Sequence, residues 1–408
     1  MSKLNELIAE LCPNGVNYKY LWEVTIWDKK FNSVERGKQK KVIPYPYLLA
    51  SEMFALQLDS GDVFLLSTGE QTGWTNEDLA GDYLCEGEVV TIPWGKSRAV
   101  TDCIKYYKGK FVTADNRIAT SSDTTVLMNK YLYYWMMSQG ETIDTFYRGA
   151  GIQHPSMKAV LDMQIPIPPL PVQSEIVRIL DNFTELTAER TTKLTAELTA
   201  RKQQYEYYRD HLLNFDDNVP VAKLEDVADI GTGSSNTNEG LEEGAYPFYV
   251  RSPEVLRKNE YEFDEIAVIT AGDGVGVGKV FHYVDGKYAL HQRAYRIHIN
   301  TPNVLPRFFY HYMRATFLPY IQKNMYQGAV ASIRRPMLNA YPVPVPPVAE
   351  QERIVNILDR FDVLYNDITE GLSAEIEARQ KQYEYCRDKL LTFKGMDKNG
   401  EKNHSSSN

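Results

Sequence analysis

The sequence predicts an α+β protein: two mixed α/β globular domains separated by two long antiparallel coiled-coil-like helices, with a pseudo-twofold internal repeat. Three observations predict it. The tyrosine-rich segment RKQQYEYYRDHLLNF (Arg201–Phe215) returns as RQKQYEYCRDKLLTF (Arg379–Phe393). Ahead of it, IPIPPLPVQSEIVRILDNF (Ile165–Phe183) returns as VPVPPVAEQERIVNILDRF (Val343–Phe361), and the offset from 201 to 379 equals that from 165 to 343. Outside these copies the chain is mixed in pattern, with short β-like runs set off by Gly, Asn and Asp turns.

The repeat sets the boundaries. Residues 1–164 form the first globular domain, with strands expected at DVFLL and EVVTI, and residues 165–215 the central helical spacer. Residues 216–342 form the second globular domain, with strands at IAVIT and YRIHI, and residues 343–393 the second helical spacer. Residues 394–408, KGMDKNGEKNHSSSN, are polar enough to form a disordered tail. The globular domains are distant relatives. GVNYKYLWEV resembles NVPVAKLEDV, and YRGAGIQHPSMKAV resembles YQGAVASIRRPML. Between these matched segments the second is shorter by about 25 residues, most of them missing from its early part.

Each helical copy carries a heptad-like stripe. In the first, Ile176, Leu180, Phe183, Thr187, Arg190, Leu194, Leu198, Arg201, Tyr205, Tyr208 and Leu212 recur at steps of three and four. In the second, Ile354, Leu358, Phe361, Tyr365, Ile368, Leu372, Ile376, Arg379, Tyr383, Cys386 and Leu390 hold the same places. The prolines ahead of each copy cannot continue a helix and set its start. Roughly forty residues at ~1.5 Å each make a rod of about 60 Å. One rod alone would leave its stripe in water, so two near-identical rods are expected to pair. The main pairing positions are Ile176, Leu180, Phe183, Leu194, Tyr205, Ile354, Leu358, Phe361, Leu372 and Tyr383. The alternative is that each rod covers only its neighbouring domain.

Composition narrows the function classes. No apolar stretch approaches the ~18–20 residues that cross a bilayer, and MSKLNELIAELCPNG lacks the apolar core of a signal peptide, so a cytoplasmic protein is expected. The 28 tyrosines suit half-wet interfaces. The four cysteines (Cys12, Cys85, Cys103, Cys386) lie far apart, without CxxC, and read as reduced thiols. TAGDGVGVGKV (Thr270–Val280) fails the P-loop spacing, because Asp273 stands where the first glycine belongs and Val280 where Ser or Thr belongs. IPWGKSR (Ile92–Arg98) has GKS but Val90 in the glycine position. No [DN]PP[YF] motif occurs, and the seven histidines form no HExxH or HxH pattern, so neither catalytic nor metal-binding residues are expected. A net charge of -9 argues against a chain that coats nucleic acid by itself.

The proline-led IPIPPLPVQSEIVRIL and VPVPPVAEQERIVNIL, each followed by a rod ending QYEYYRDHLL or QYEYCRDKLL, together with the opening LNELIAELCPNGVNYKYLWEV, resemble the specificity subunit of type I restriction-modification systems. The resemblance runs to about residue 393. It implies that the globular segments are target-recognition domains, each reading one half of an asymmetric bipartite site in double-stranded DNA. It also implies that the rods set the spacing and dock two modification (methyltransferase) subunits, with restriction subunits joining through the assembled methylase. The chain itself would be non-catalytic and need no cofactor, whereas its partners would use S-adenosylmethionine, ATP and Mg. The alternative is an orphan scaffold that binds or sequesters modification subunits without directing DNA recognition. The first rod departs from the pattern at LPVQSEIV, which puts partner contacts near Gln173 in question.

Base reading needs Arg, Lys, Asn, Gln and polar turns on loops beside a groove. The candidates in the first domain are Lys96, Arg98, Arg148, Gln153 and His154. In the second they are His291, Gln292, Arg293, Gln327, Ser332, Arg334 and Arg335.

Overall fold

The computed structural model describes residues 3–96, 98–114, 117–324 and 332–396. The chain divides into two compact units, Met1–Thr192 with Glu375–Asn408, and Lys193–Ala374. Each unit therefore holds one globular domain and a portion of both long helices.

In the first unit a six-stranded sheet runs in the order Thr25–Trp27, Arg117–Ser121, Cys85–Ile92, Lys105–Thr113, Val63–Leu66 and Gly73–Thr75. Only Val63–Leu66 and Lys105–Thr113 pair parallel; the other neighbours are antiparallel. Cys85–Ile92 is buried along its second half, where Val89, Val90 and Ile92 are fully covered. That explains why EVVTI reads as a continuous apolar run rather than an alternation. The second unit repeats the order with Ala228–Thr232, Ala294–Ile299, Phe263–Ala271, Phe281–Leu290, Tyr246–Tyr249 and Val255–Lys258. Again one pair is parallel, Phe248 opposite Ala289. Two domains with little shared sequence have the same topology.

A short antiparallel pair closes each domain: Asn17–Tyr20 with Gln164–Ile167, and Val221–Lys223 with Pro342–Pro344. These are two-stranded pairs, where proline is tolerated because only one edge must be bonded. They tie the proline cluster before each helix back to the start of its own domain.

The long helices are Leu170–Leu212 and Val348–Leu390, each of 43 residues. Their first turns belong to the domains. Ile176 and Leu180 are fully buried in a core with Leu132, Trp135 and Leu161. Ile354 and Leu358 are buried likewise with Phe308, Phe309 and Leu338. These four, read from sequence as helix-pairing residues, pack mainly on globular domains, because a stripe that begins beside a folded sheet buries more apolar area there. Gln173 and Gln351 are fully buried one turn earlier. Gln173 accepts from Met128 N at 2.9 Å and donates to the carbonyls of Val126 and Pro168, both at 2.7 Å. Gln351 accepts from Leu305 N at 2.8 Å and donates to Asn303 and Pro346. The Gln173 side chain is thus bonded within its own domain. Immediately after Leu180 and Leu358, Asp181 takes Lys130 and Tyr134, and Asp359 takes Arg307 and His311.

Beyond those turns the helices meet each other, and antiparallel pairing is visible inside each unit. In the second unit Tyr205 stacks on Tyr365 and Tyr208 on Phe361, with ring centres 5.7 and 5.8 Å apart. In the first, Thr184 Oγ1 lies 3.3 Å from the Tyr383 hydroxyl, and Arg190 pairs with Glu375 at 3.1 Å. Leu194 is buried, Leu372 half-buried and Phe183 exposed.

Residues 394–396 correct the expected start of the tail. Val16 N donates to Lys394 O and Met396 N to Val16 O, while Tyr18 hydroxyl donates to Phe393 O. The rest of that tail lies outside the described residues. Cys12, Cys85 and Cys103 are buried, Cys386 is half-buried, and all four are free thiols; burial pushes Cys85 up to about 11. Among the described residues no helix is long and apolar enough to cross a membrane.

Candidate nucleic-acid interface

In the first domain two loops far apart in sequence form one surface. Strand Cys85–Ile92 is followed by Trp94 and Lys96. There Lys96 N donates to Gln153 O at 3.0 Å and Gln153 N returns a bond to Lys96 O at 3.1 Å. His154 packs against Trp94, ring centres 4.3 Å apart, with Nδ1 3.1 Å from the Trp94 carbonyl. Gly149 and Gly151, at φ 136° and 91°, let the second loop reverse and leave Ile152 exposed at its tip. Arg148 stands opposite His154 in a two-residue strand pair, exposed and with no ion-pair partner among the described residues. Arg98 is exposed and paired with Glu70.

Lys96 does not fit its expected part as a DNA contact. Its side chain is 8% exposed, bonded to Asp144, and its ammonium lies 5.0 Å from the Tyr147 ring centre. The same Asp144 oxygen accepts from Val100 N at 3.0 Å. Withdrawing the lysine toward DNA would leave a part-buried carboxylate without its cation. Gln153 acts through its backbone and is half-buried.

The second domain builds the same junction from other residues. Gly272 N donates to Arg293 O at 2.9 Å, Ile333 N donates to Gly272 O at 2.8 Å, and Asp273 stands opposite Ser332. The glycine-rich loop, the His291–Arg293 turn and the Ser332–Arg335 segment therefore meet. Asp273 pairs with Arg251 and, at 3.2 Å, with Arg293. Partial burial works to raise its pKa, but bonding and charge from the two arginines outweigh that and lower it.

His291 is the second correction. It is 4% exposed, its Nδ1 accepts from Arg293 N at 2.9 Å, and its backbone N–H donates to Tyr249 O. Burial lowers its pKa, and with Nδ1 accepting from Arg293 N the ring acts as a turn-former. Gln292 is exposed, with its amide on Asn236. Ser332, Arg334 and Arg335 are exposed, and Arg335 Nε donates to Asn339 Oδ1 at 3.1 Å. Gln327 lies outside the described residues. Arg251 escaped sequence reading because it follows a strand distant in sequence, and only the sheet order brings it to Asp273. Among the described residues no group of three or more His, Cys, Asp or Glu is placed to hold a metal.

Two copies of one sheet topology, each with a loop junction of different residues and each beside an antiparallel pairing of the long helices, define a tandem-repeat protein. A family model described as the type I restriction modification DNA specificity domain matches residues 47–200 and again 216–378. The EcoR124I/EcoR124II specificity subunit of the Escherichia coli type I restriction enzyme is 36% identical over 307 residues, 68% of this chain and 74% of that one. The Haemophilus influenzae putative type I restriction enzyme specificity subunit S.HindORF215P is 33% identical over 340 residues, 78% of this chain and 86% of its own. The fold is similar to a chain in a structure addressing complex assembly and conformational transition of the type I R-M system, with TM-score 0.65, 12% identity and coverage of 93% and 98%. An S subunit from M. genitalium matches with TM-score 0.50 and 16% identity over 92% of this chain and 96% of that one. The chain belongs to the type I restriction-modification DNA specificity family.

Proposed function

We propose that this chain chooses the DNA site for a type I restriction-modification complex and performs neither methylation nor cleavage itself. The observation that carries this is the repeated loop junction: the same backbone construction presents Arg98, Arg148 and His154 in one domain and Arg251, Arg293, Arg334 and Arg335 in the other. Similar frames with different side chains suit two different half-sites, so the recognised sequence is asymmetric and bipartite. Two readers held by paired helices keep a fixed separation, about one helical turn or a multiple of it, whereas a flexible linker would lose register.

The helices also offer equivalent docking positions for two methyltransferase subunits. Tyr207 and Tyr385 occupy matching places in the two copies and are each 67% exposed. An exposed tyrosine gives a rigid, half-polar anchor of the kind protein interfaces favour. Restriction subunits join through the methylase, and S-adenosylmethionine, ATP and Mg are bound by those partners. The test is a genome-wide map of N6-methyladenine with and without the gene, the modification subunit being present. Loss of one asymmetric bipartite motif on deletion is expected; an unchanged map would overturn the reading.

A further inference from the structure

Residues 29–41 of the first domain, KKFNSVERGKQKK, contain Lys29, Lys30, Arg36, Lys38, Lys40 and Lys41 against a single acid, Glu35, in a chain of net charge -9. The loop is firmly held. Phe31 and Val34 are buried in the core, and Phe31 meets Trp27 edge-on with ring centres 5.8 Å apart. Gln39, also buried, accepts from Phe31 N at 2.9 Å and donates to Lys29 O at 3.1 Å, closing the loop across its neck. Ile43 N donates to Trp27 O at 3.0 Å and returns the chain to the sheet. Two of the cations have internal work: Lys38 pairs with Asp162 at 2.6 Å, and Lys29 lies over the Tyr47 ring. Lys30, Arg36, Lys40 and Lys41 are exposed, with no ion-pair partner among the described residues.

The loop also adjoins the recognition end. The Phe31 ring lies 5.6 Å from the Arg117 guanidinium, and Arg117 pairs in register with Ile92, two residues before Trp94. The corresponding connection in the second domain, between strands Ala228–Thr232 and Tyr246–Tyr249, has no Lys or Arg and carries Glu239, Glu242 and Glu243. Part of the extra length of the first domain is therefore a rigid basic loop whose Phe31 end lies beside the candidate base-reading strand end, while Lys40 and Lys41 line a groove with Trp22, Glu23 and Ser122 on the same domain.

We propose that Lys30, Arg36, Lys40 and Lys41 form a phosphate clamp that grips the DNA backbone beside the half-site read by the first domain. The second domain has no such clamp in the matching connection. The clamp rests on the reading of the chain as a DNA-recognition subunit. Four exposed cations on a preorganised loop neutralise phosphates without reading bases, which fixes position and not sequence.

The test measures DNA affinity of the assembled methyltransferase complex against salt concentration, comparing the wild type with Lys40→Gln/Lys41→Gln and with Lys40→Arg/Lys41→Arg. Each lost phosphate contact lowers the slope of log K against log salt by roughly 0.9, so the Gln pair should lower it by roughly 1.8. The Arg pair should keep the wild-type slope, and all three should methylate the same motif. An unchanged slope in the Gln pair would overturn the clamp. So would a Gln pair that fails to assemble with the methyltransferase while the Arg pair assembles, since the loop would then be a protein contact. A wild-type complex without sequence-specific DNA binding would instead sink the functional reading itself.

Discussion

Tyr205 donates its hydroxyl proton to Asp362 Oδ1 at 2.6 Å, linking the late part of one long helix to the early part of the other. The matching residues of the repeat, Tyr383 and Thr184, stand 3.3 Å apart at the equivalent crossing. One crossing is a charge-assisted bond also supported by Arg314, 2.9 Å from Asp362. The other is a long bond between neutral hydroxyls. The two copies of the repeat thus place the same positions in contact but join them with bonds of unequal strength.

Tyr205→Phe should therefore cost more than Tyr383→Phe. A part-buried bond to a carboxylate is worth about 1.5–3 kcal/mol and a neutral exposed one about 0.5–1 kcal/mol. Urea unfolding of both variants measures the difference. Equal losses would mean that the Asp362 bond adds nothing beyond the stacking of Tyr205 on Tyr365.

The exposed tyrosines Tyr207 and Tyr385 should each anchor one methyltransferase subunit. Either single alanine variant should weaken one of two binding events by about 2 kcal/mol, roughly 30-fold, and the double variant both. Mass measurement of the assembled complex during a titration reads the stoichiometry directly. Two tight sites surviving in the double variant would place the docking surface elsewhere.

Lys96 and Arg334 should separate structure from recognition. Lys96→Ala should lower the unfolding midpoint, because it strands Asp144, while leaving the methylated motif unchanged. Arg334→Ala should leave the midpoint alone, cost about 1–3 kcal/mol of affinity for cognate DNA and relax one base position. Equal losses on cognate and scrambled DNA would remove Arg334 from base reading.

Glu175 gives the first unit an acid sensitivity. The Arg178 guanidinium at 2.7 Å, helped by Lys3 at 3.3 Å, holds its carboxyl down to about 2 against an ordinary 4.5. The unfolded chain binds this proton more readily, so stability from the pair is complete above about 4.5 and drains away toward about 2. Glu175→Gln should flatten that part of the stability–pH curve and leave the neutral region nearly parallel to the wild type. An unaltered acid limb would show that the pair is not the source.

The helices, their lengths and the tandem order were legible because a near-verbatim repeat needs no knowledge of tertiary contacts. The common sheet topology was only partly so: strand runs such as EVVTI and IAVIT could be seen, but their order depends on pairings such as Val90 with Ala119, far apart along the chain. Individual site residues were least legible. Lys96 and His291 look like contacts in a sequence of exposed-looking turns, and burial against Asp144 or under Arg293 N–H appears only after the loops have met. The same holds for Leu180 and Leu358, whose heptad places suit a helix seam equally well as a domain core.

The claim that each domain reads its own half-site is tested most directly by replacing residues 224–341 with the corresponding domain of another family member and mapping N6-methyladenine across the genome. One half of the methylated motif should change, with the other half and the spacer length between them intact. A map in which both halves change together, or the motif stays as it was, would contradict independent reading by the two domains.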